Sequence, residues 1–253
     1  MKKIIIALFV LFLGLQVNAA TTTTSSKWDQ AAMQKKLNNI AYVLIKKNNL
    51  PTGITIKASA EANANAYSNI NKEIYVYKGL LDLTSDDAEL AAVLSHEMGH
   101  IINGHCAKQT ILNSVIANMA GSVKTETAGQ AIGVAAAQQI STTKLSRKDE
   151  FEADITAIDL MVNAGYNPLA MIVILNKISK QYRYDVFSNH TLISRRMMKI
   201  YEYIYTKYPS ILAENEYANN IYYQNFLLTS RTNRMLFLEK IEKNSTKDVN
   251  YKY

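Results

Sequence analysis

Residues 89–105 read Glu89-Leu-Ala-Ala-Val-Leu-Ser-His96-Glu97-Met-Gly-His100-Ile-Ile-Asn-Gly-His105 and contain an H-E-x-x-H signature. On an α-helix, positions four apart differ by about 40° in azimuth, so His96 and His100 project from one face, a turn apart. Two imidazoles so placed can hold one Zn²⁺, each through a nitrogen at roughly 2.0–2.1 Å. Glu97 lies about 100° round from His96. It therefore stands beside such a metal rather than on it, where a carboxylate can take a proton from water. The surroundings read as helical. Asp86 can cap the N-terminus with Glu89 as capping-box partner, and Leu90, Val93, Leu94 and Ile101 form an apolar face. The competing reading, polar residues scattered on a core helix, requires the whole motif to match by accident in a helical context.

The chain around this stretch has 253 residues. It opens with Lys2 and Lys3, an apolar run from Ile4 to Leu15, and small residues at Ala19 and Ala20. That pattern predicts a secretory signal peptide over 1–20, with a core too short for a membrane span. Thr21 to Ser26 then reads as a flexible mature N-terminus over 21–27. Removing Lys2 and Lys3 from 28 basic residues leaves 26 against 21 acidic ones, a net charge of +5. This mild excess is compatible with peripheral contact with an anionic membrane surface. There is no basic patch interleaved with aromatics of the kind that binds nucleic acid, and no transmembrane span is expected in the mature chain. Cys106 is the only cysteine, so no internal disulfide can form and Cys106 reads as a small buried residue rather than a ligand.

Helical periodicity is expected from Trp28 to Lys47, and short strands at Ile54–Lys57, Ala64–Tyr67 and Ile74–Tyr77. The last of these is the expected sheet edge beside the site, where a peptide could pair by strand addition, or else merely part of a structural hairpin. Downstream come an apolar helix from Lys108, a Gly/Ser/Thr-rich loop over 120–130, a small-residue helix over 131–140 and a helix running from Ser146 to Ala164. Pro168 opens another helix, a loop spans Asp185 to Asn189, His190 to Lys207 reads as helical, and Arg231 to Lys243 closes the series before a polar tail expected to fray.

A catalytic zinc usually keeps three protein ligands and one open position. His105 fails on angle, being about 140° round a continuous helix from His100. A downstream carboxylate serves better. Glu150 and Asp154 are four apart on one predicted helix and so share a face. A Glu there can bind metal while the Asp accepts the second N–H of a ligand histidine. The plain alternative is a charged helix start, since acids favour the first turn.

The motifs Asn65-Ala66-Tyr67, Ile74-Tyr75-Val76, Gly79-Leu80-Leu81, Glu89 to His100, Ser146-Arg147-x-x-Glu150-x-Glu152-Ala153-Asp154 and Ala164 to Pro168 occur in that order. Together they strongly resemble the HtpX/CAAX prenyl endopeptidase family of gluzincin metallopeptidases, over roughly 52–200. The resemblance implies that His96, His100 and Glu150 ligate one Zn²⁺ per chain, that Glu97 is the general base, and that Asp154 is an outer partner or proton donor. The family also carries a His-Pro pair followed five residues later by Arg. His190 and Arg196 keep that spacing with Thr191 in the proline's place. His190 is thereby a candidate regulatory fourth ligand or substrate contact, with Arg196 in the same role.

The expected fold is α+β and mainly helical, a gluzincin-like core with a small sheet packed on the zinc-binding helix. A peptidase domain is expected over 28–207 and a helical extension with a polar tail over 208–253. The expected function is a zinc endopeptidase for exported proteins, periplasmic or secreted, acting in envelope protein quality control on protein or peptide substrates. The alternative is a periplasmic chaperone or assembly factor on the same fold with latent proteolysis.

Overall fold

The computed structural model describes residues 28–122, 146–181 and 193–253. The signal peptide and mature N-terminus expected over 1–27, the helix over 131–140 and His190 lie outside the described residues.

The order is α1 (Gln30–Asn48), β1 (Thr55–Ser59), β2 (Ala66–Ser68), β3 (Glu73–Tyr77), α2 (Lys78–Leu81), α3 (Asp87–Ile102) and α4 (His105–Ser122). Further along the chain come α5 (Arg147–Asn163), α6 (Leu169–Gln181), α7 (Ile193–Lys207), α8 (Pro209–Glu214), α9 (Ile221–Thr229) and α10 (Arg231–Glu242). The described residues are thus mainly helical with one three-stranded sheet.

Helix α3 runs through the middle, against α1, α5, α6, β2 and β3. Its start follows from Asp86, whose carboxylate accepts the Glu89 amide at 2.8 Å. Glu89 does not complete a capping box on Asp86. It reaches the Ser85 amide and, fully buried, pairs with Lys177 of α6 at 2.7 Å. Burial raises the Glu89 pKa even against the Lys177 charge. Leu90, Leu94 and Met98 are almost wholly buried, each stabilising by about 1.5–3 kcal/mol relative to exposure.

Two local features bring the downstream carboxylates to α3. Ser146 and Asp149 form a reciprocal capping box that starts α5 immediately before Glu150. Gly99 then lets α3 and α5 touch, because a Cβ there would stand 2.8 Å from the Ala153 carbonyl oxygen, a backbone atom that cannot step aside.

The sheet order is β1-β3-β2, with β1 parallel and β2 antiparallel to β3. The strand expected at the edge, Ile74–Tyr77, is therefore the middle one, paired on both sides. Its alternating Ile74 and Val76 are fully buried. The β1 edge is covered by α1, since Gln30 donates to the Ala58 carbonyl and Gln34 both donates to the Ile56 carbonyl and accepts from the Ala58 amide. This leaves β2 as the edge beside α3.

The tail expected to fray instead folds back. Asn233 exchanges hydrogen bonds with the backbone of Lys252 at 2.7 and 2.8 Å, and the Tyr251 hydroxyl donates to Glu202 of α7. No helix among the described residues is long and apolar enough to cross a membrane.

Candidate metal centre

His96 and His100 leave α3 on one face, with Nε2 atoms 3.1 Å apart. Glu150 of α5 faces both, its oxygens 3.7 Å from His96 Nε2 and 3.5 Å from His100 Nε2. One donor atom from each of the three lies within 4.8 Å of the others, and all three residues are buried. Two imidazole nitrogens and a carboxylate oxygen at these separations fit a zinc ion, whose ligand atoms each stand roughly 2.0–2.2 Å from the metal.

Around this triad the partners differ from residue to residue. His96 Nδ1 is 3.0 Å from Asp154 Oδ1. Asp154 is in turn held by the Arg196 guanidinium, through Nε at 2.7 Å and Nη2 at 2.6 Å, while Arg196 Nη1 reaches Glu150 Oε2 at 2.9 Å. Burial works against the Asp154 charge, but Arg196 and His96 together hold its carboxyl below the ordinary value. Burial and the Arg196 charge press His96 towards neutrality, yet its bond to Asp154 and the two nearby carboxylates leave its pKa raised. On the other side, His100 Nδ1 is 2.9 Å from Nδ1 of His105, which is 3% exposed.

Glu97, 5% exposed, accepts a hydrogen bond at 2.9 Å from Ser68 Oγ on edge strand β2. The same hydroxyl is 3.5 Å from Cys106 Sγ, a thiol whose pKa burial pushes up. A cavity of about 70 Å³ adjoins His96, Glu97 and Arg196, with an apolar wall of Val93, Met171, Ile174 and Ile178.

The structure thus brings together His96, Glu97, His100, Glu150, Asp154 and Arg196 from three helices far apart in sequence, while His190 lies outside the described residues. Arg196, singled out with His190 as a regulatory or substrate-contacting residue, has its guanidinium engaged by two carboxylates. Sequence reading missed Ser68 and placed His105 by an angle that assumes one continuous helix. The signal for His105 was Asn103-Gly104, a helix stop. With Gly104 at φ +71, α3 ends and α4 begins afresh at His105, so an angle computed on one continuous helix does not apply.

A mainly helical fold carrying an H-E-x-x-H helix and a buried carboxylate partner is the architecture of a metal-dependent hydrolase. Residues 27–204 match peptidase family M48, and the chain belongs to that family, which makes it a metalloendopeptidase. It is similar to the metalloprotease LoiP of Escherichia coli (strain K12), at 28% identity over 66% of this chain and 68% of that one. It is also similar to the metalloprotease YcaL of the same strain, at 30% identity over 54% of this chain and 56% of that one. A putative beta-barrel assembly-enhancing protease of Vibrio cholerae is 25% identical over 60% of this chain but only 34% of its own length.

Proposed function

We propose that the protein is a zinc endopeptidase that cleaves exported proteins, delivered outside the cytoplasm by residues 1–20, with 28–207 as the peptidase unit and 208–253 as an extension packed on it. The observation that carries this reading is the convergence of three buried donor atoms, from His96, His100 and Glu150, beside the Glu97 carboxylate. A zinc ion held there supplies a Lewis acid and a bound water acidified towards a pKa of about 7.

The chain's own residues do the rest. Glu97, oriented by Ser68, takes the proton of the attacking water and returns it to the leaving amine. Asp154 fixes the tautomer of His96, and Arg196 holds Asp154 and Glu150 in place. The edge of β2, unpaired among the described residues, offers main-chain partners to an extended peptide, and the apolar cavity beside Glu97 suits an apolar side chain flanking the scissile bond.

Envelope protein quality control is the role we infer, because several similar proteins are named for enhancing beta-barrel assembly. That name also favours a second reading, in which assistance to assembly is the main activity and proteolysis is latent. Glu97→Gln separates them. We expect the variant to retain zinc while cleavage of an unfolded protein substrate falls about 10²–10⁴-fold. Undiminished cleavage removes Glu97 as the base. Full biological activity without cleavage favours the assembly reading.

A further inference from the structure

Beside the triad stands a second group that could hold an ion: His105, Asp149 and Glu152 each offer one donor atom within 4.8 Å of the others. His105 Nε2 is 3.7 Å from both Asp149 Oδ1 and Glu152 Oε2. By spacing alone this group resembles the first one. The proton count separates them.

His105 Nδ1 and His100 Nδ1 are 2.9 Å apart, so one proton lies between them. If His100 binds a metal through Nε2, its remaining proton is on Nδ1 and is donated to His105 Nδ1. The proton of a neutral His105 must then sit on Nε2, facing Asp149 and Glu152. An ion at that nitrogen would have to strip the ring of its last proton. Asp149 Oδ1, moreover, already has a counter-charge in Lys108 Nζ at 2.9 Å.

We propose that His105 is a positioning residue for the metal centre and not a ligand of a second ion. It accepts the His100 N–H and so leaves Nε2 of His100 unprotonated where it faces His96 and Glu150, while the negative charges of Asp149 and Glu152, 3.7 Å from Nε2, favour the His105 tautomer that can accept. This makes the outer support of His100 an imidazole, where that of His96 is a carboxylate paired with arginine. Gly104 serves the arrangement, since its positive φ of +71° turns the chain so that His105 starts α4 against the end of α3. The inference rests on the reading of His96, His100 and Glu150 as a metal centre.

The test uses the full chain with His105→Gln and His105→Leu. Gln can accept the His100 N–H through Oε1 and offer its own N–H to the carboxylates, whereas Leu can do neither. Zinc stoichiometry and affinity are measured by competition with a chromophoric chelator, and the thermal midpoint of each metal-free protein is measured alongside. We expect one zinc per wild-type chain. His105→Leu should weaken it by roughly 10–100-fold, and His105→Gln should recover most of the loss at an equal metal-free midpoint. Equal zinc affinity in all three proteins overturns the role of His105. So does a loss that Gln fails to rescue, which would mark a structural role. A second zinc in the wild type that both variants lose overturns the proton assignment. No zinc in the wild type sinks the metal-centre reading itself.

Discussion

The two histidines of α3 are chemically identical and lie one turn apart, yet their surroundings are opposite in kind. His96 meets Asp154, Arg196 and Glu150, an ion network that is at most 2% exposed. His100 faces His105, and the chain of contacts leads outward through Asp149 to Lys108, whose side chain is 63% exposed. One motif thus reaches both the core of the molecule and its rim. The inner network is where fold and site depend on each other, because removing one charge strands another out of water. The outer chain can be altered with far less consequence for the fold.

Asp154→Ala tests this most severely. It leaves the Arg196 charge buried with Glu150 as its remaining carboxylate partner, and about 3–5 kcal/mol of stability should be lost in denaturant unfolding of the metal-free protein. A loss below about 1 kcal/mol would erase the difference between the two sides.

Gly99→Ala acts between them. The new Cβ meets the Ala153 carbonyl oxygen at 2.8 Å, so α3 and α5 must part at a cost of about 1–3 kcal/mol. Glu150 should move away from the histidines, and zinc affinity should fall together with stability. Unchanged affinity would mean that the helix contact does not set the ligand geometry.

The smallest effect belongs to the rim. Burial opposes the Asp149 charge, but hydrogen bonds from Lys108 and Ser146 lower its pKa from 3.8 to about 2. A carboxyl depressed in the folded state binds fewer protons there than in the unfolded chain. Its stabilisation is therefore complete above about pH 4 and is lost as pH falls through about 2. Lys108→Ala should cost under about 1 kcal/mol at neutral pH and flatten the acid limb of the stability curve over that window. An unchanged acid limb would remove Lys108 as the cause.

What could be read from the sequence is what helical periodicity encodes. The spacing of His96 and His100, and of Glu150 and Asp154, determines azimuth on a helix, and those residues meet in the structure. Strand order is not encoded locally. Ile74–Tyr77 carries the strongest strand pattern because it is the middle strand with a fully buried face, and a hydrophobic pattern does not report which neighbours lie on either side. The C-terminal tail looked polar and loose because its anchors, Asn233 to Lys252 and Glu202 to Tyr251, join positions far apart in sequence. The angle that set His105 aside assumed a helix continuous from His100, whereas Gly104 marks a break before it.

In the proposed reading, His96, His100 and Glu150 form one zinc site. Its most direct test is elemental analysis of the purified protein beside a folded Glu150→Ala variant. About one zinc per wild-type chain is expected, with a sharp reduction in the variant. A wild type that holds no zinc and cannot take it up, or a Glu150→Ala protein that binds zinc as tightly as the wild type, would contradict it.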